Sequence, residues 1–109
     1  MITTDEFNHI ALSFPNTIAA PHFERTAYKV VNKRIFATIH AETRTANLKL
    51  SLEDQSVYCL INKEVIFAVN NKWGLQGWTT FNLDAVELQL MTEALSCAYD
   101  HALSPASKN

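Results

Sequence analysis

Glycine, proline and cysteine are scarce in this sequence, with two, three and two residues respectively. So few glycines and prolines exclude a collagen-like, linker-like or low-complexity chain. Two cysteines, Cys59 and Cys97, make neither a disulfide framework nor a cysteine-rich zinc site. No apolar run approaches the roughly 18 residues of a membrane-spanning helix, so no membrane role is expected. The opening residues Met1 to Glu6 are polar and acidic, unlike a signal peptide, and the cytoplasm is the expected compartment. Neither sign of charge dominates. A net charge of −2 is not that of a strongly basic nucleic-acid binder. The phosphate-binding, dinucleotide-binding, zinc-protease and serine-hydrolase signatures are all missing, and no catalytic residue, cofactor or metal is expected.

What is present is a globular balance of 48% hydrophobic and 18% charged residues over 109 positions. That is enough for one core. One domain is expected over residues 1–103, with 104–109 as a flexible C-terminal tail. Thr3 and Glu6 fit a capping box, and Phe7, Ile10, Ala11 and Phe14 follow at helical spacing, which predicts a helix over about 4–14. Between residues 20 and 50 the period changes to two, predicting strands near 20–24, 27–32, 34–40 and 46–50. Asn32-Lys33 reads as a tight hairpin, because Asn tolerates positive φ. Ser51 and Asp54 predict a second helix over 52–61. Residues 65–69 and 78–81 read as a strand pair joined by a long loop that holds both Gly74 and Gly77. A third helix is predicted from Asn82 or Asp84 to about Leu103. The fold class is α+β: a two-layer sandwich with an antiparallel sheet, helices on one face, and the order α-β(3-4)-α-β(2)-α.

The charge is unevenly placed. Residues 25–50 carry Arg25, Lys29, Lys33, Arg34, Arg44 and Lys49 against Glu42 alone, whereas the segments on either side are net acidic. A local positive field can therefore coexist with a negative total. If Ile35, Ala37, Ile39, Leu48 and Leu50 face the helices, Phe36, Thr38, His40, Asn47 and Lys49 face outward. Phe36, His40 and Asn47 are then a candidate partner surface, for nucleic acid, a protein partner or a second copy of the chain. Lys72, Trp73 and Gln76 sit in the second loop, where a lysine could meet phosphate and a glutamine a base edge. Trp78, on a strand, is expected in the core, and Trp73 fits either role. His22, His40 and Cys59 could in principle converge on a metal, but wet-face strand histidines are the commoner reading. The two cysteines read as small core residues.

Five short motifs occur in order: Pro21-His22-Phe23, Ile35-Phe36-Ala37-Thr38-Ile39, Ala46-Asn47-Leu48-Lys49-Leu50-Ser51, Asn71-Lys72-Trp73-Gly74 and Gly77-Trp78-Thr79-Thr80. Together they resemble the MmcQ/YjbR family over about residues 3–103. The resemblance implies a small bacterial α+β domain of CyaY-like (frataxin-like) arrangement, described as DNA-binding through a double-wing motif and without catalytic residues. Carried onto this chain, the wings are Asn32-Lys33-Arg34 and Asn71-Lys72-Trp73-Gly74. Glu24 stands where members often have Gly. The expected nucleic-acid contacts are Lys33, Arg34, Arg44, Lys49, Lys72, Trp73 and Gln76. The alternative is a protein-interaction module or homodimer that uses the outer sheet face.

Overall fold

The computed structural model describes residues 1–105; positions 106–109 of the expected tail lie outside the described residues. In chain order the elements are α1 (Thr4–Ser13), β1 (Thr17–His22), β2 (Arg25–Val30), β3 (Ile35–His40), β4 (Thr45–Lys49), α2 (Leu52–Cys59), β5 (Ile66–Ala68), α3 (Lys72–Leu75), β6 (Trp78–Asn82) and α4 (Leu88–Leu103). The strands form one sheet in the order β1-β2-β3-β4-β6-β5. Every neighbouring pair is antiparallel. The expected α+β class is what forms.

Local chemistry sets the boundaries. Thr3 and Glu6 make the capping box of α1, the Glu6 amide donating to Thr3 Oγ1 at 3.0 Å and the Thr3 amide to Glu6 Oε1 at 2.9 Å. Asn16 takes a φ of 60°, so the chain reverses at once after α1. β1 therefore starts at Thr17, three residues earlier than its weak alternation suggests. It is an edge strand, where the missing N–H of Pro21 is tolerated. Asn32 has a φ of 64°, as the hairpin reading requires. α4 begins at Leu88 rather than at Asn82 or Asp84. Residues 82–86 instead form a turn, in which the Asp84 amide donates to Asn82 Oδ1 and the Val86 amide to Asn82 O, both at 2.9 Å. Leu83 and Val86 are buried from that turn, which is why their spacing imitates a helix.

Sheet register assigns the two faces. One row runs Ala19, Tyr28, Ala37, Leu48, Thr79, Ala68 across all six strands, and a second runs Pro21, Thr26, Ile39, Ala46, Phe81, Ile66. Helices cover this face. Phe7 of α1 meets Tyr28, and Tyr58 of α2 meets Phe81, with ring centroids 5.7 and 6.1 Å apart. Phe36 belongs to this side, contrary to the outward placement expected from alternation. It is fully buried between Phe14 and Tyr99 of α4, at centroid distances of 6.3 and 5.7 Å. The cause is a bulge: Tyr28 pairs with Ala37 but Lys29 pairs with Ile35, so Phe36 is the extra residue and its period is broken. Phe36 is thus a core side chain and no part of a partner surface.

The long loop expected between the last two strands contains α3, one turn of helix capped by Asn71, whose Oδ1 accepts the Trp73 amide at 2.8 Å. Its two glycines serve different needs. Gly77 has a φ of +110°, whereas Gly74 is helical and needed for close approach, since a Cβ there would stand 1.9 Å from Val69 O. Among the described residues, no helix is long and apolar enough to cross a membrane.

Candidate binding cleft on the open face of the sheet

The opposite face carries the row Ala20, Ala27, Thr38, Asn47, Thr80, Phe67, again across all six strands. No helix covers it. α3, which precedes β6, folds over to make one wall of a cleft of about 470 Å³ that reaches across the sheet to His22 and Arg25 beside the β1–β2 turn. Ile35, Val69, Trp73 and Trp78 give apolar walls, and His22, Arg25, Thr38, Asn47 and Asn71 supply polar groups. The volume suits a small ligand. Trp78, expected in the core, lines this cleft, because its register with Lys49 sets it on the open face. Trp73 is half-exposed beside it, with the Lys72 ammonium 5.9 Å from its ring centre.

Sequence reasoning missed Arg25, counting it only as a charge. Arg25 opens β2 directly opposite His22, across the two-residue turn Phe23-Glu24. Its Nε donates to Thr38 Oγ1 at 2.8 Å. Its Nη2 is buried and has no hydrogen-bond partner among the described residues. Burial holds the guanidinium below its ordinary pKa. The signal that could have found it is the turn itself, because a two-residue hairpin fixes the pairing and places Arg25 in line with Ala27 on the open face. Asn47 is on that face as expected. Its Oδ1 accepts from Thr80 Oγ1 at 2.8 Å, leaving its Nδ2 donors for the cleft. His40 also keeps to this face, near the far end, where its Nδ1 accepts the Thr43 amide at 3.2 Å and its Nε2 lies 3.7 Å from Glu24.

The turn beside the cleft is strained. Phe23 has a φ of 60° and is 94% exposed. A turn with positive φ at its first central residue favours glycine, and an exposed aromatic held there is unusual.

The expected basic contacts divide between two ends. β3 and β6 are parallel to one another with β4 between them, so the turn before β3 and α3 before β6 share one end, about 10 Å apart by strand spacing. Lys33, Arg34, Lys72, Trp73 and Gln76 are all exposed there. Lys49 ends β4 between them, but its ammonium lies 3.2 Å from His101 Nε2 on α4. Burial and the Arg34 charge lower the Lys49 pKa. Burial first, then the Lys49 and Arg34 charges, lower that of His101, while Asp54 opposes. Arg34 also donates from Nη2 to the last carbonyls of α4, at 3.3 Å to His101 O and 3.0 Å to Ser104 O. Arg44 is at the other end. Its Nε meets Asp84 Oδ1 at 2.6 Å and its Nη2 donates to Ile2 O at 2.7 Å, so its charge is neutralised in place.

The metal trio considered from sequence does not form. His22 and His40 stand on the open face and Cys59 packs toward the core from α2, and among the described residues no three His, Cys, Asp or Glu side chains could hold an ion. Cys59 and Cys97 are partly buried against the core, and burial raises the pKa of the Cys59 thiol.

No family model matches the chain, and no curated protein does. Its structure is similar to the crystal structure of the Deinococcus radiodurans protein DR2400, with the family-model domain DUF419, at a TM-score of 0.77 and 22% sequence identity, covering 91% of this chain and 77% of that one. At that identity the likeness establishes a shared fold.

Proposed function

We propose that the chain is a non-catalytic binding module of the MmcQ/YjbR type that binds nucleic acid along the end of the sheet shared by the β2–β3 turn and α3. The observation that supports this reading is the placement of two cationic loops, Lys33-Arg34 and Lys72-Trp73, side by side at one end, as a double wing requires. Lys33 and Lys72 supply phosphate contacts, Trp73 a stacking surface and Gln76 an amide for a base edge. Arg34 is partly committed to α4, and Arg44 is omitted because Asp84 already neutralises it.

Counterion release makes the test quantitative. Affinity for duplex DNA falls with salt at about −0.9 log units per log unit for each phosphate contact. Replacing Lys33 and Lys72 together by Glu lowers the magnitude of that slope by about 2, and Arg44→Ala leaves it unchanged. Absence of binding at low salt, or a slope indifferent to Lys33 and Lys72, overturns the reading.

A second reading, protein docking on the open face, is favoured by the exposed aromatics Phe23, Phe67 and Trp73. Concentration-dependent light scattering tests its homodimer form. A strict monomer removes that form.

A further inference from the structure

We infer that the open-face cleft binds a small monoanion of the carboxylate class joined to an aromatic body, with Arg25 as the anion anchor and Trp73 and Trp78 as the apolar walls. The inference shares Trp73 with the nucleic-acid reading but rests on Arg25 and the cleft, which that reading does not use. A buried guanidinium N–H group without an acceptor is costly, and such groups are rare unless a ligand or a function retains them. Arg25 Nη2 is such a group, and Arg25 lines the cleft. The bond from Nε to Thr38 Oγ1 fixes the guanidinium plane, which holds its charge at the cleft wall for an anionic acceptor.

Among the described residues, no carboxylate pairs with Arg25, and Glu24, its neighbour in sequence, is 89% exposed and directed to His40. Among the described residues the cleft lining contains one guanidinium, the His22 imidazole and no lysine, so its one permanent cation matches one negative charge rather than a doubly charged phosphate. Two indoles, with Ile35 and Val69, ask for a flat apolar body beside the anion. Asn47 and Asn71 each have Oδ1 engaged within the fold, leaving amide donors to orient that body.

Trp73 and Trp78 are the only tryptophans, so their two indole N–H resonances report the cleft directly. The experiment titrates the full chain with 2-naphthoate, its neutral isostere 2-naphthamide and 2-naphthyl phosphate, following those resonances by NMR. The expected result is a shift of both indole signals, an affinity for the acid about tenfold above that for the amide, and no gain for the phosphate. Arg25→Met brings the acid-to-amide ratio close to one, and Arg25→Lys, which keeps charge but loses the fork, lowers it severalfold. Equal affinity of the unaltered chain for acid and amide, unmoved indole signals, or a phosphate preference above about tenfold overturns the inference. Lys33 and Lys72 are not varied, so either outcome leaves the nucleic-acid reading to its own test.

Discussion

The two faces of the sheet are built from the same strands, yet alternate residues are put to opposite uses. The closed face packs Tyr28, Phe36, Leu48 and Phe81 against the helices, all of them fully buried or nearly so. The open face sets Thr38, Asn47 and Thr80 in a polar row beside a half-exposed tryptophan and a guanidinium with an unused donor. Close packing leaves the first face no freedom to do anything but hold the fold. The second retains features that lower stability, including the Phe23 backbone and the Arg25 nitrogen. Two such costs beside one cleft indicate where a fold has been kept for binding rather than for stability.

The contrast can be broken most severely on the closed face. Phe36→Ala removes a ring enclosed by Phe14 and Tyr99, and urea denaturation is expected to show a loss of about 3–5 kcal/mol. A loss under about 1 kcal/mol would mean that Phe36 faces outward after all. Gly77→Ala puts a Cβ 2.0 Å from Leu50 O at a positive φ, and is expected to cost about 3 kcal/mol and to disturb the α3 wall. On the open face the sign reverses. Phe23→Asn relieves the left-handed strain and is expected to raise stability by about 1 kcal/mol.

The smallest expected effect is a pH dependence where the two faces meet at the end of β4. Burial and the nearby cations hold His101 below the ordinary histidine value of 6.5, so near pH 6 the folded chain binds fewer protons than the unfolded one. The stability this contributes is complete above about pH 6.5 and is lost as the pH falls through the lowered value. Melting curves should therefore shift down on mild acidification, and less so in His101→Gln. An unchanged shift in that variant would assign the slope to other groups.

The sequence made much of the architecture legible because its signals were local. The Thr3–Glu6 box, the Ser51 cap and the Asn32 turn each satisfy backbone groups within a few residues. Phe36 was misread because a bulge carries no local mark: it arises from the mismatch between β2 and β3 and reverses a period that is otherwise sound. The false start of α4 has a similar origin, since Leu83 and Val86 are apolar for the core's sake while Asn82 bends the chain beneath them. Charge clustering in the sequence divided into two ends because β3 and β4 carry their flanking turns in opposite directions, which sent Arg44 to Asp84 and left Lys33 with Lys72. Arg25 and Trp78 became a site only through cross-strand register, which no composition count contains.

The central claim is that ligands meet this molecule on the open face and its adjoining loops, away from the helical layer. Amide and indole chemical shifts of the full chain, followed during titration with a short DNA duplex at low and moderate salt, test it directly. The account predicts perturbations centred on Lys33, Lys72 and Trp73 that fade steeply as salt rises. Perturbations centred on α1 and α4, or none at low salt, would contradict it.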